Sequence, residues 1–139
     1  MNEKLPSTLL LEIVTPQRLL LSEEVSEVIA PGTLGYFGVL PGHIPFVSNL
    51  TIGELTYRKG TEERHLAIIW GYAEVLPDRV VVLAEEAQRP EEIDVARAQA
   101  ARDRALARRR KPEPGTDLPR VEASLARAMV RLQVSSRKH

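Results

Sequence analysis

Arginines at helical spacing are the residues of this chain that most clearly suggest chemistry. Arg127 and Arg131 stand four residues apart, so they share one face of any helix that spans them. Asp94 and Arg97, three residues apart, would lie on neighbouring faces of an earlier helix. Guanidinium groups bind phosphate oxygens through paired N–H donors, so two arginines one turn apart can hold part of a triphosphate. The alternative is that these arginines form surface ion pairs, which stabilise a protein little.

Residues for catalysis or metal binding are sparse. The chain has no cysteine and 3 histidines, His43, His65 and His139, without paired metal-ligand spacing. No serine or aspartate is placed to complete a triad with His43, and no G-x-x-x-x-G-K-[ST] phosphate loop is present. We therefore expect no catalytic residue, no metal site and no required cofactor.

Charge divides the chain into two parts although the formal net charge is zero. Residues 1–90 hold 7 Lys/Arg against 12 Asp/Glu, a net charge of −5, and residues 91–139 hold 12 against 7, a net charge of +5. The basic part could face an acidic protein surface, an anionic ligand or nucleic acid, or it could be a solvated helix face. No aromatic residue follows Tyr72, so nucleic-acid bases would find no stacking platform there.

The first ninety residues have the composition of a β domain. Short segments rich in apolar and β-branched residues are separated by turn pairs such as Pro31-Gly32 and Pro77-Asp78. Residues 63–70 and 72–76 predict two strands in close succession, and the unalternating run 79–83 predicts a strand covered on both faces. The apolar run near the N-terminus is too short to span a bilayer, so we expect membrane contact only through partners.

At Pro90 the composition changes to that of helices. Residues 91–111 are rich in alanine and arginine and contain no glycine or proline, and acidic residues open the segment while basic residues close it. Prolines and Gly115 then interrupt the helix, and Thr116 or Asp117 can cap a second one. The expected apolar stripe of this second helix is Leu118, Val121, Leu125, Ala128 and Leu132.

Two helices joined by a short breaker form an antiparallel hairpin, and this hairpin has little bulk. Each large buried side chain contributes roughly 1.5–3 kcal/mol, whereas ordering each residue costs roughly 1–2 kcal/mol of backbone entropy. We therefore divide the chain into a β domain of residues 1–89 and a hairpin of residues 90–139 that can dock or detach.

Several motifs, in order along the chain, resemble one family. Residues 35–45, GYFGVLPGHIP, followed by LTIG at 50–53, resemble the pattern G-x-x-G-[IV]-L-P-G-H-x-P…L-x-x-G of the epsilon subunit of bacterial and plastid F-type ATP synthases. EIVTP at 12–16, GYAEVLPDRVVVLA at 71–84 and IDVARA at 93–98 are similar to the family's first strand, last hairpin and I/L-D-x-x-R-A signature.

The resemblance implies a β-sandwich or flattened barrel of about ten strands followed by an antiparallel two-helix hairpin. It implies a non-catalytic central-stalk (rotor) subunit of a proton-translocating ATP synthase, bound to the gamma subunit and the c ring. The hairpin would either fold down on the β domain or rise into the catalytic alpha/beta head and block ATP hydrolysis. The location would be the cytoplasmic side of a bacterial cell membrane. The open alternatives are a stand-alone adaptor of the same fold and a nucleic-acid-binding module.

The resemblance also assigns candidate residues. The loop that meets the c ring would contain Tyr36, Gly38, Pro41, Gly42 and His43, with the imidazole exposed. ATP, as a regulatory ligand, would bind Gln88, Ile93, Asp94, Arg97, Ala98, Arg104, Arg127 and Arg131, with Gln88 in a place where ATP-binding members carry glutamate. Contact with the catalytic subunit would come from Arg108, Arg109, Arg110 and Lys111.

Overall fold

The computed structural model describes residues 7–137. Its strands are β1 (Leu9–Val14), β2 (Leu19–Val25), β3 (Glu27–Gly32), β4 (Gly35–Val39), β5 (Phe46–Leu50), β6 (Gly53–Lys59), β7 (Glu62–Leu76) and β8 (Arg79–Gln88). A 3₁₀ turn (Pro90–Glu92) leads to the helices α1 (Val95–Arg110) and α2 (Leu118–Ser135). The expected architecture, a β domain followed by two helices, is confirmed, with eight strands in the described residues instead of about ten.

The strand count is lower partly because the two segments predicted at 63–70 and 72–76 form one long strand, β7. Its first half pairs with β6 and its second half with β5, so β7 belongs to both layers of the sandwich. The chain changes direction at Trp70 and Gly71, where φ is 49° and 152° respectively. A Cβ on Gly71 would lie 2.1 Å from the carbonyl oxygen of Leu83, so only glycine fits beside β8.

The core of the sandwich is built from the inward-facing residues of the strands. In β1, Leu9, Leu11 and Ile13 are buried in alternation, as expected of a strand with one covered face. In β8, Val80 and Val82 are buried, whereas the intervening residues at 81 and 83 are only half-buried. The prediction that β8 is covered on both faces is therefore wrong for residues 7–137, in which its outer face is only partly covered.

The first helix begins later than predicted. Asp94 caps α1 by accepting a hydrogen bond from the backbone N–H of Arg97 at 3.1 Å. Residues 91 and 92 lie in the preceding 3₁₀ turn and not in the first turn of α1. The physical reason is the side chain of Ile93, which is 5% exposed and packs against the sheet, so the chain must stay extended there before the helix starts.

The second helix is capped by Asp117, as predicted, through a 3.2 Å bond from the backbone N–H of Arg120. Its apolar stripe is different from the prediction, because α2 has two partners on two faces. Val121 and Leu125 pack with Ala105 of α1, whereas residues 130 and 134 pack on the sheet. Leu118 is 46% exposed and Leu132 only half-buried, so neither belongs to the buried set.

The hairpin is held by little apolar material. The sandwich core contains 20 buried residues, whereas the cluster that joins the hairpin to the sheet contains 5, namely Ala67, Ile69, Ile93, Val130 and Val134. The helix α1 packs chiefly on α2, and α2 packs on β6 and β7. The hairpin therefore rests on the sheet mainly through one helix. Neither described helix combines the length and the hydropathy that a membrane span requires.

Candidate functional site

A polar cleft of ≈ 720 Å³ lies between the end of the sheet and the hairpin. Alanines of α1 form much of its apolar lining, and charged side chains surround them. Six arginines face three carboxylates, so the lining carries a net positive charge of three. The six arginines are Arg18, Arg97, Arg104, Arg108, Arg127 and Arg131, and the three carboxylates are Glu86, Glu92 and Asp94.

The two cleft arginines of α2 are held in different ways. Arg131 donates from Nε to the amide oxygen of Gln88 at 2.9 Å and from Nη2 to the carboxylate of Glu86 at 2.8 Å. Arg127 donates from Nη2 to the hydroxyl of Ser124 at 3.1 Å, and its guanidinium carbon lies 5.6 Å from the ring centroid of Trp70. The charge of Arg131 is thus partly neutralised, whereas Arg127 contributes its charge to the cleft.

The structure brings seven of the eight predicted ATP-site residues to this cleft, and the exception is Ile93. Its side chain is buried with Val130 and Val134 on the sheet side of the hairpin. The spacing that gathers the α1 residues is helical, since Arg97, Ala101, Arg104 and Arg108 recur every three or four residues.

Arg18 and Glu92 belong to the cleft but were missed by sequence reasoning. Arg18 lies in the β1–β2 turn and pairs with Glu92, whose carboxylate also accepts from the backbone N–H of Arg89 at 2.9 Å. Burial raises the pKa of the Glu92 carboxyl, but the hydrogen bonds from Arg18 and from the Arg89 backbone outweigh burial and leave the pKa below its ordinary value of 4.5. No local motif predicts this pair, because 74 positions separate its two residues in the sequence.

The loop between β4 and β5 has the predicted turn, but His43 is less exposed than predicted. Gly42 has φ of 86°, and its N–H donates to Pro77 O at 2.8 Å, which ties the loop to the β7–β8 turn. His43 is half-buried rather than exposed, because its ring packs 5.1 Å from that of Phe46. The loop instead exposes Leu40 and Ile44, at 57% and 78%. The expectation of an exposed imidazole is thus wrong.

The other two predicted members of this loop region lie on β4. Tyr36 and Gly38 are both exposed, and the Tyr36 hydroxyl accepts a hydrogen bond from the backbone N–H of Glu54 at 3.2 Å. The structure thus places all five residues of the predicted c-ring loop on one strand and the loop that follows it.

The basic run at the end of α1 is divided among several environments. Arg108 faces the cleft, and Arg109 lies 3.6 Å from the carboxylate of Glu122 on α2. Arg110 and Lys111 are exposed, and neither pairs with a carboxylate of residues 7–137 within 4.0 Å. The run is therefore not a single binding patch in this conformation.

The outer face of the sandwich is a second candidate surface. Cross-strand pairing places Val14, Leu83 and Tyr72 in one row across β1, β8 and β7. A neighbouring row contains Val81 and Val47, which flank Glu74. Tyr72 is 45% exposed and Val47 is 66% exposed, so apolar side chains of several strands face away from the core. Glu12 and Glu74 lie in the second row, so this face mixes apolar side chains with two carboxylates. Exposed apolar side chains grouped on one face are typical of an interaction surface.

Within residues 7–137 no three acidic or histidine side chains come close enough to hold a metal ion. The fold and the site define the class: a β-sandwich that carries a docked two-helix hairpin, with an arginine-lined cleft between them. Comparison with known proteins specifies the class further. The family model "ATP synthase, Delta/Epsilon chain, beta-sandwich domain" matches residues 8–90, and "ATP synthase, Delta/Epsilon chain, long alpha-helix domain" matches residues 91–136.

Curated relatives agree with the family models. The chain is 53% identical over 128 residues to ATP synthase epsilon chain 2 of Syntrophotalea carbinolica, and the matched segment covers 91% of this chain and 93% of the relative. It is 53% identical over 127 residues to the ATP synthase epsilon chain of Syntrophobacter fumaroxidans, covering 91% and 95%. The chain therefore belongs to the ATP synthase epsilon-chain family, whose members are non-catalytic stalk subunits of the complex.

Solved structures share the fold. A chain of the Euglena gracilis mitochondrial ATP synthase OSCP/F1/c-ring structure matches with a TM-score of 0.82 at 24% identity, covering 98% of this chain and 86% of that one. A chain of the Tetrahymena thermophila mitochondrial ATP synthase central stalk/c-ring structure matches with a TM-score of 0.57 at 12% identity, covering 96% and 97%. At these identities the likeness concerns the fold alone.

Proposed function

We propose that this subunit is a rotor component whose β domain, residues 1–89, binds the gamma subunit and the c ring, while its hairpin, residues 90–139, moves to restrain ATP hydrolysis. The observation that carries this proposal is the contrast between a sandwich core of 20 buried residues and a hairpin held to it by a cluster of 5. A part that is docked through so few apolar side chains can leave at modest free-energy cost.

The outer face of the sandwich supports binding to the gamma subunit. The run 79–83 lacks alternation, although only one face of β8 is covered within the chain. A strand with apolar residues on both faces is expected where both faces become buried, so an intermolecular partner accounts for Val81 and Leu83. The β4–β5 loop, with Leu40 and Ile44 exposed beside His43, is the proposed contact with the c ring.

The hairpin supports the restraining function through its length and charge. At about 1.5 Å per residue, the 16 residues of α1 and 18 of α2 are roughly 24 and 27 Å long. An extended hairpin would carry the residues from Arg108 to Lys111 into the catalytic head. There, carboxylates of a catalytic subunit would replace Glu122 as the partner of Arg109, and guanidinium–carboxylate contacts would oppose rotation.

The cleft supports ATP as a regulatory ligand. Its net charge of plus three complements a polyphosphate, and its arginines come from the β1–β2 turn, α1 and α2. A nucleotide bound there would contact the β domain and the hairpin simultaneously. Because it would bind only the docked form, it would stabilise that form by a free energy that grows with the logarithm of its concentration above the dissociation constant. We place the whole subunit at the cytoplasmic face of a bacterial cell membrane, attached through the complex.

The test is ATP hydrolysis by complexes assembled with different versions of this chain. A chain that ends at Arg89 should assemble with gamma and the c ring and should hydrolyse ATP faster than the complex with the full chain. A full-length Arg102→Ala variant, altered outside the cleft and the basic run, is the matched control and should behave as wild type. Equal hydrolysis with the truncated and the full chain would refute the restraining function, and failure of the truncated chain to assemble would refute rotor binding by residues 1–89.

A further inference from the structure

Trp70 has a backbone conformation that its residue type disfavours. Among residues 7–137, Trp70 is the only residue other than glycine that has a positive φ, and its φ is 49°. A bulky side chain in this left-handed region strains the backbone, which glycine would adopt freely. The conformation is imposed by the change of direction in β7, since Gly71 beside it has φ of 152° and lies against β8. Strain of this kind persists at positions where the side chain contributes to function.

The side chain of Trp70 connects the β domain to the cleft. The residue is 38% exposed, and its ring lies under the guanidinium of Arg127, whose carbon is 5.6 Å from the ring centroid. Trp70 belongs to β7 and Arg127 to α2, so the contact joins the two parts of the molecule. A tryptophan ring is the aromatic side chain that attracts a guanidinium most strongly.

The chemistry of this contact differs from that of the neighbouring arginine. Arg131 donates N–H groups to Gln88 and Glu86, and the carboxylate of Glu86 neutralises part of its charge. The ring of Trp70 carries no charge, so it attracts the guanidinium without neutralising it. Apart from the single bond to Ser124, the donors of Arg127 are free of partners within residues 7–137.

We propose that Trp70 is a positioning residue for the nucleotide cleft: it holds Arg127 at the cleft with its charge and donors available to the phosphates of a bound nucleotide. This role rests on the proposed binding of ATP. The strained backbone at Trp70 is then the cost of placing an aromatic ring beneath the guanidinium, and removal of the ring leaves Arg127 free to turn into solvent.

The decisive variant is Trp70→Gly in the full chain, with ATP affinity measured by titration calorimetry. Glycine accepts the φ of this position, so relief of backbone strain should offset part of the lost ring contacts and the protein should remain folded without ATP. The affinity for ATP should nevertheless fall about five- to tenfold, because the cation–π contact is lost. Trp70→Phe keeps an aromatic ring and should retain much of the affinity, whereas Trp70→Leu, which is apolar but has no ring, should not.

A spectroscopic readout separates positioning from general stability. Trp70 is the only tryptophan of the chain, so its emission reports on this contact. ATP should change the emission with the midpoint found by calorimetry. Arg127→Gln should change the emission without ATP, whereas Arg120→Gln, elsewhere on α2, should leave it unchanged.

The outcomes distinguish the two proposals. If wild-type protein binds no ATP, the nucleotide site is refuted and the positioning role with it. If wild type binds and Trp70→Gly binds equally tightly, only the positioning role is overturned. The positioning role is likewise overturned if Trp70→Phe loses as much ATP affinity as Trp70→Leu, or if Arg127→Gln leaves the tryptophan emission unchanged.

Discussion

The carboxylate of Glu54 on β6 accepts two hydrogen bonds from the guanidinium of Arg137, at 3.2 Å from Nε and 3.2 Å from Nη2. Glu54 is 7% exposed, and Arg137 follows the end of α2, so this pair clamps the last turn of the hairpin to the sheet. The side chains of Gln133 and His65 complete the surroundings, with the Gln133 amide at 3.5 Å from the carboxylate. The hydrogen bonds to Glu54 and its charge raise the pKa of Arg137 above its ordinary range.

Replacement of Glu54 by glutamine should loosen the hairpin while the sandwich stays intact. The substitution preserves the shape but removes the charge that Arg137 and Gln133 meet. Because hydrogen bonds to charged groups are stronger than neutral ones, amide hydrogen exchange in α2 should accelerate about tenfold. Exchange in β1 serves as the internal reference and should not change.

The matched control for this prediction is Glu85→Gln, at an exposed position on β8. Arg137→Gln should reproduce the effect of Glu54→Gln, and the double variant should be no worse than either single one. Unchanged exchange in α2 of Glu54→Gln would show that the clamp does not hold the hairpin.

A charge on the outer face should weaken assembly without affecting the isolated subunit. Val47 is 66% exposed and lies in the row with Val81, so Val47→Lys should leave the melting temperature unchanged. Burying a lysine in an apolar interface is costly, so pull-down of the gamma subunit should decline about tenfold or more. Met129→Lys on α2, a side chain exposed by 50%, is the control and should bind gamma normally. Normal binding by Val47→Lys would mean that gamma does not use this face.

Much of the fold could be predicted because composition and turn signals act locally. Asp117 and the prolines before it mark the start of α2 in the sequence, and the structure places the helix there. The start of α1 was misjudged because helix propensity at 91–94 is overridden by the burial of Ile93 on the sheet. The sequence did not predict that β7 continues through Trp70. A strand that pairs with β6 in one layer and with β5 in the other depends on long-range pairing, which no local pattern shows.

The cleft could be predicted in part for the same reason. Helical spacing gathers Arg97, Arg104 and Arg108 on one face of α1. Arg18 lines the cleft, and Trp70 contacts Arg127 beside it, only because of the way in which the sheet folds. Their distance in sequence from the hairpin left no signal. The prediction of an exposed imidazole at His43 was wrong because the ring packs against Phe46, and this packing depends on the conformation of the loop.

Removal of the two cleft arginines of α2, Arg127 and Arg131, should abolish the response to ATP. ATP should raise the melting temperature of wild-type protein in proportion to the logarithm of its concentration above the dissociation constant. In Arg127→Ala combined with Arg131→Ala, the affinity should fall at least about tenfold, because charged hydrogen bonds to phosphate are lost. The control is Arg102→Ala combined with Arg120→Ala, which removes the same charge from positions outside the cleft. A response that survives in the first variant would exclude the cleft as the ATP site.

Acid should loosen the entrance to the hairpin through Glu92. The pKa of Glu92 in the folded protein lies below the ordinary value of 4.5, so its carboxylate contributes stability at pH values above that value. The contribution is lost as the pH falls through the folded-state pKa, because protonation removes the pairing with Arg18 and weakens the bond from the Arg89 backbone.

The free energy of unfolding, measured with denaturant at several pH values, tests this prediction. Glu92→Gln should be less stable than wild type at pH 7 and should lose less further stability between about pH 5 and pH 3. Glu113→Gln, at an exposed site in the loop between α1 and α2, should follow the wild-type pH profile. Parallel profiles for wild type and Glu92→Gln would show that this carboxylate has the same pKa folded and unfolded. The pair with Arg18 would then be an incidental surface contact, and the cleft would have no acid-sensitive fastening to the sheet.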